Sequence, residues 1–204
     1  MRLLLIDACV SQRGPASRTR RLADAFLESF RAARPEAEIE TAALERLDIM
    51  PFTPEALDRR DALAKAGEFG APVFALARQF QQADRIAVAA PFWDLSFPAV
   101  LRVYIEHISA NGLTYHYESD GCHGDCRASR LAYLTTGGDL ERPESLGVLY
   151  WRQLAAMFGI PRFDHVFAGG LDLDPSQAPA IMEDPCARAR PLAREICQRT
   201  QTRL

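Results

Sequence analysis

A chain of 204 residues, 48% hydrophobic and 25% charged, is long enough to bury one sizeable core and ordinary for a soluble globular protein. The formal net charge of -3, with no block of Lys or Arg, gives no electrostatic footprint for nucleic acid. No apolar run approaches the roughly 18 residues of a membrane span. The opening RLLLID is too short for a signal-peptide core and ends on Asp7, so a cytoplasmic location is expected. Five scattered cysteines, Cys9, Cys122, Cys126, Cys186 and Cys197, fit a reducing compartment better than a disulfide framework. One domain, residues 1–204, is expected.

Along the chain, strand and helix patterns alternate. Arg2 to Asp7 is a short apolar run and reads as a buried first strand. Ser17 to Ala33 reads as a helix, with Leu22, Phe26 and Phe30 every four residues and Pro35 beyond its end. Ile39 to Leu44 is a second strand and Arg46 to Pro54 a loop. Pro54 to Lys65 and Val73 to Gln82 read as helices. Arg85 to Ala90 is a third strand, and Pro98 opens a helix to Ser109 with Leu101, Tyr104, Ile105 and Ile108 on one face. Leu113 to Glu118 alternates as a hairpin arm, and Ser119 to Ser129 reads as a loop. Arg130 to Thr136 is the fourth strand, Ser145 to Phe158 a helix, Phe163 to Ala168 the fifth strand. A last helix runs from about Ala187 to Arg199, with an entry near Pro185 that the pattern leaves open.

Alternating strands and helices imply right-handed crossovers and a parallel sheet. The expected fold class is α/β: a flavodoxin-like, doubly wound five-stranded parallel sheet of order 2-1-3-4-5, with helices on both faces. A dinucleotide-binding sheet ranks second, because no Gly-x-Gly-x-x-Gly loop follows the first strand.

Three loops at strand ends carry the chemistry. The first, Ala8 to Thr19, runs into a helix whose unpaired N–H groups suit a phosphate. Ser11, Ser17 and Thr19 add hydroxyls, and Arg13 or Arg18 adds charge; the plainer reading makes Ser17 an N-cap. The second is Pro91 to Pro98. Phe92, Trp93, Leu95 and Phe97 either pack over the sheet edge or wall a ligand or partner site. The third is Thr135-Thr136-Gly137-Gly138, read as a tight turn or as glycine amides that approach a ligand closely. On a 2-1-3-4-5 sheet the three meet at one edge. A phosphate cradle, an aromatic wall and a glycine loop together match FMN, a monophosphate tail on a flat ring.

These residues carry a family resemblance over most of the chain, from strand one to about Asp172. The sequence resembles the FMN-dependent NADH azoreductases and related NAD(P)H:quinone oxidoreductases. Ser11-x5-Ser17-Arg18-Thr19 looks like the family's phosphate loop. PFWDLSFPAVL, with Pro91, Phe92, Trp93, Asp94 and Leu95, looks like its flavin-ring loop. Leu134-Thr135-Thr136-Gly137-Gly138 looks like its loop at the flavin's pyrimidine side. Phe158-Gly-Ile-Pro and Ala168-Gly-Gly-Leu-Asp also look familial. The resemblance implies a homodimer with FMN near the subunit interface. It also implies hydride delivery from NAD(P)H and a quinone, azo or nitro-type acceptor served by ping-pong two-electron transfer. Two departures stand out. Asp94 occupies a position that azoreductases usually fill with asparagine, and Asp139 follows Gly138 with no nearby histidine. The proton donor to the acceptor is left unassigned, with Arg142 and Tyr150 the residues weighed for it.

Gly121-Cys122-His123-Gly124-Asp125-Cys126 stands apart. It reads as a loop with incidental thiols, as a reversible Cys122–Cys126 pair, or as a metal site with three donors where about four are needed. No metal is expected. The functions in competition are the enzyme, a flavodoxin-like electron carrier, and a thiol or metal sensor built on Cys122 and Cys126.

Overall fold

The structure is a computed structural model that describes residues 1–11, 13–140 and 145–198. The expected ending of the last helix at Arg199, and Arg142, lie outside the described residues. Seven strands and seven α-helices are described. The strands are β1 (Arg2–Asp7), β2 (Glu38–Ala43), β3 (Arg85–Pro91), β4 (Tyr115–Glu118), β5 (Gly121–Gly124), β6 (Leu131–Thr136) and β7 (Phe163–Ala168). The helices are α1 (Arg18–Ala33), α2 (Pro54–Lys65), α3 (Ala75–Gln82), α4 (Ala99–Ile108), α5 (Leu146–Met157), α6 (Ala178–Ile181) and α7 (Glu183–Ile196).

Five strands form one parallel sheet in the order β2-β1-β3-β6-β7, and β4 and β5 form a separate antiparallel hairpin. With the hairpin strands set aside, this is the expected spatial order. The central strands are buried on both faces, as their near-continuous apolar runs require. Leu4, Ile6, Ile86, Val88, Leu131 and Tyr133 face α4 and α5, where Leu101, Tyr104, Ile105, Ile108 and Trp151 meet them. Leu3, Leu5, Ala87, Ala89, Ala132 and Leu134 face α1 and α7. The alanines on that face let α1 and α7 pack close, and Leu22, Phe26, Phe30, Ala189 and Ile196 fill the layer.

Because the strands run in parallel, the ends of β1, β3, β6 and β7 share one edge. Asp7 pairs with Ala89, Pro91 with Thr136, and Thr136 with Ala168. From that edge the chain turns to α1 on one face after β1, and to α4 on the other after β3. The two loops diverge and leave a crevice between them.

The structure departs from the sequence expectations at the hairpin and in the C-terminal helices, where α6 (Ala178–Ile181) was not expected. The segment expected as a loop after Glu118 contains β5. Its backbone pairs with β4 and rests on the turn after α5, where a Cβ on Gly124 would lie 1.9 Å from the amide nitrogen of Gly159. A glycine-rich stretch that reads as punctuation is thus a strand kept bare for close packing. The last helix begins at Glu183, earlier than expected. Pro185 sits in its first turn, where the missing N–H costs no helical bond, and Glu183 and Asp184 complement the helix start.

Candidate functional site

A shallow, open cleft of about 120 Å³ lies at the crevice. It is lined by Ser11, Arg13, Ser17, Arg18 and Thr19 from the first loop, Pro91, Phe92 and Trp93 from the second, and Thr136, Gly137 and Gly138 from the third. Cys9, Leu171 and Asp172 complete the lining.

The β1 turn is locked internally. The Cys9 amide donates to Asp7 Oδ1 at 2.9 Å. Arg20 spans Asp7 Oδ2 at 3.2 Å, the Cys9 carbonyl at 2.8 Å and Glu45 at 3.0 Å. Arg20 is therefore committed to the scaffold, whereas Arg13 and Arg18 face the cleft. Ser17 caps α1, its Oγ accepting from the Arg20 amide at 3.3 Å, and lines the cleft as well. Both readings of Ser17 hold together. The amides of Arg18 and Thr19 open the helix, ahead of its first intrahelical hydrogen bonds. Burial holds the Cys9 thiol far above its ordinary range, with the Asp7 carboxylate adding to the effect, so Cys9 lines the cleft as a neutral group.

The second loop is a tight reversal. Ser96 N–H donates to the Trp93 carbonyl at 2.8 Å, and Asp94 and Leu95 between them have φ of 50° and 65°. Asp tolerates this left-handed region; Leu does so at a cost of about 1 kcal/mol. The reversal aims the Asp94 and Leu95 side chains into solvent, outside the cleft lining. Phe92 packs edge-on against Phe167 at 5.7 Å, and Phe97 against Tyr150 at 5.6 Å. Trp93 stays 42% exposed and stands free as a wall.

At the third loop, the Thr136 and Thr19 hydroxyls bond at 2.6 Å in a buried bridge between β6 and α1. Thr135, one residue earlier, points to the opposite face of the sheet and is fully buried outside the cleft. The Gly137 amide is already engaged, donating to the Ala168 carbonyl at 2.9 Å. The glycines matter for space: a Cβ on Gly137 would lie 2.8 Å from Phe167, and one on Gly138 2.4 Å from the Asp172 carboxylate. Leu171 and Asp172 follow β7; the signals for them in the sequence were the strand ending at Ala168 and the familial stretch Ala168-Gly-Gly-Leu-Asp, neither of which assigned them to the cleft.

Tyr150 is held away from the cleft by Arg102, which donates to its hydroxyl. Cys122 and Cys126 also lie elsewhere, as free thiols. Burial, reinforced by Asp125, pushes the Cys126 thiol up to about 12, against thiolate chemistry near neutral pH. Among the described residues no helix is long and apolar enough to cross a membrane.

Comparison with known proteins agrees with this architecture. The family model described as "Flavodoxin-like fold" matches residues 1–191. The FMN-dependent NADH:quinone oxidoreductase 2 of Clostridium acetobutylicum is 33% identical over 201 residues, covering 96% of this chain and 99% of that protein. The FMN-dependent NADH:quinone oxidoreductase of Clostridium beijerinckii is 29% identical over the same share of each chain. An azoreductase from Bacillus anthracis superposes with a TM-score of 0.83 at 23% identity, covering 96% of this chain and 99% of that one. A fold shared at this identity, a family match across nearly the whole chain and a relative at 33% lead to one conclusion: the chain belongs to the flavodoxin-like fold family.

Proposed function

We propose that this protein is an FMN-dependent oxidoreductase that takes hydride from NADH or NADPH and passes two electrons to a quinone, azo or nitro-type acceptor. The observation that carries the reading is the joint lining of one cleft by a helix-start hydroxyl and arginine cluster, an exposed aromatic wall and a bare glycine loop. The donor set fits FMN. Ser11, Ser17, Arg13, Arg18 and the first amides of α1 suit a phosphate dianion. Trp93, Phe92 and the Cβ-free surface of Gly137 and Gly138 suit a flat ring. The relatives named as FMN-dependent NADH:quinone oxidoreductases support the same assignment.

FMN, when bound, supplies a ring that accepts hydride from a nicotinamide and yields two electrons to an acceptor. This chain's residues then have three tasks. The α1 start and its arginines fix the phosphate and so the register of the ring. Phe92, braced by Phe167, and Trp93 hold a planar substrate against that ring. Leu171 and Phe92 exclude water from the inner wall. In this reading donor and acceptor occupy the same face in turn, which is the structural basis for ping-pong order. Trp93, Leu95, Leu140 and Leu173 are large apolar side chains left exposed, and a homodimer that covers them is part of the proposal.

The test is direct. Protein purified in the presence of FMN should keep one flavin per chain. Anaerobic NADH should bleach its visible absorbance, and a benzoquinone should restore it. Protein that takes up no FMN sinks the proposal, and flavin that NADH leaves oxidised points to an electron carrier instead.

A further inference from the structure

Beneath the aromatic loop, the core between β6 and α5 holds polar atoms that the packing leaves unpaired. Tyr133 and Thr135, two residues apart on β6, point to one face of the sheet. Both are fully buried, and neither hydroxyl finds a hydrogen-bond partner among the described residues. Trp151 Nε1, on α5, is a third such atom, with its ring centroid 6.4 Å from that of Tyr133. A buried polar atom without a partner is costly, so three at one interface call for an explanation.

Gly147, in the first turn of α5, marks the space concerned. A Cβ there would lie 3.1 Å from the Tyr133 hydroxyl and 3.4 Å from the Ser96 carbonyl oxygen. The bare Cα thus leaves both oxygens facing one small volume, within the span of a single bridging water. The Thr135 hydroxyl borders it too. Burial pushes the Tyr133 phenol up to about 12, and Thr135 works against that rise, which a hydroxyl does only from close by. Ser96 in turn closes the strained reversal. Its amide donates to the Trp93 carbonyl at 2.8 Å, across Asp94 and Leu95 with their positive φ. Such a turn persists only where its surroundings hold it.

We propose that Tyr133 is a positioning residue for the aromatic loop: its hydroxyl and that of Thr135 hold an ordered water that donates to the Ser96 carbonyl and so fixes the Trp93 reversal. A hydroxyl both donates and accepts, a carbonyl accepts, and three partners are what a buried water typically has. The bridge also accounts for Gly147, because a methyl would take the room that the water needs. That the loop positions a flavin ring rests on the proposed function. The brace itself does not, and it is tested in flavin-free protein.

A high-resolution crystal structure of the full chain should show a water within hydrogen-bond distance of the Tyr133 hydroxyl and the Ser96 carbonyl; a dry site overturns the proposal. Tyr133→Phe should lower the folding equilibrium constant about fivefold in urea denaturation, the loss of one net hydrogen bond. An unpartnered hydroxyl predicts the opposite sign, since its removal relieves a buried polar group. A variant as stable as the parent, or more stable, therefore refutes the bridge. Tyr133→Phe should also speed hydrogen exchange at the Ser96 amide about tenfold more than at Val88 in the sheet. Equal acceleration at the two would mean a purely structural role and refutes positioning. Gly147→Ala should reproduce the Ser96 effect by displacing the water, and Thr135→Ser, which keeps the hydroxyl, should not. Ser96 exchange that Gly147→Ala leaves at the parent rate also counts against the bridge. FMN uptake by the parent protein, measured separately, decides the flavin reading, so the two can fail independently.

Discussion

The Arg18 guanidinium and the Asp172 carboxylate meet at 2.6 Å across the mouth of the cleft, joining the start of α1 to the chain after β7. Both line the cleft, and Asp172 is the more exposed partner. A phosphate in the cradle must therefore compete with Asp172 for Arg18. Exposed pairs of this kind contribute about 0.2–1 kcal/mol, so Asp172→Asn should tighten FMN binding by about threefold and leave stability nearly unchanged. Arg18→Gln should weaken it by about 10- to 100-fold, the loss of a charge-assisted bond. Fluorescence titration of FMN reads both, and weaker binding in Asp172→Asn would refute the competition.

Gly137 and Gly138 separate stability from space. A methyl on Gly137 would meet the Phe167 ring, which is braced by Phe92 and has little room to give. Gly137→Ala should cost about 1–3 kcal/mol in urea denaturation. A methyl on Gly138 would meet first the Asp172 carboxylate, the end of an exposed side chain that can turn aside, and then its Cβ at 3.1 Å, a tight contact that needs a shift of a few tenths of an ångström. Gly138→Ala should stay within about 0.5 kcal/mol of the parent. Equal losses would mean that the loop, not the neighbour, sets the cost.

The sheet was legible because its signal is redundant: each buried strand is a short apolar run, and each intervening helix repeats its own period. The cleft was legible at the level of loops. Single side chains were harder. Asp94 and Leu95 sit among aromatics in the sequence, yet two consecutive left-handed residues turn them outward, and periodicity carries no trace of that reversal. Thr135 and Thr136 read alike, and strand alternation alone sends one into the cleft and the other into the core. The β4–β5 hairpin was hidden for a different reason: its second strand, Gly121–Gly124, carries two glycines that read as loop punctuation, and only the pairing with Tyr115–Glu118 makes it a strand.

The buried Thr19–Thr136 hydroxyl bond links α1 to β6 beneath the cleft. Thr19→Val leaves the Thr136 hydroxyl without that partner and should cost about 1–3 kcal/mol. Thr136→Val should cost a similar amount. The double variant should cost less than the sum, since neither site then buries an unpaired hydroxyl. Additive losses in a double-mutant cycle would show that the two hydroxyls act separately.

The cysteines give a prediction about reactivity that also checks the reducing-compartment reading. Cys9, Cys126, Cys186 and Cys197 all have thiols raised above their ordinary range, burial being the largest cause in each case. A raised thiol stays protonated, and so unreactive, until the pH passes its shifted value. Cys122 alone among the cysteines is exposed. At about pH 8 the native protein should therefore show one fast thiol towards a disulfide reagent. The other four should react only after denaturation, bringing the count to the five cysteines of the sequence. Cys122→Ser should abolish the fast phase. A native protein with no fast thiol, and with two fewer thiols after denaturation unless a reductant is added, would instead place Cys122 and Cys126 in a disulfide.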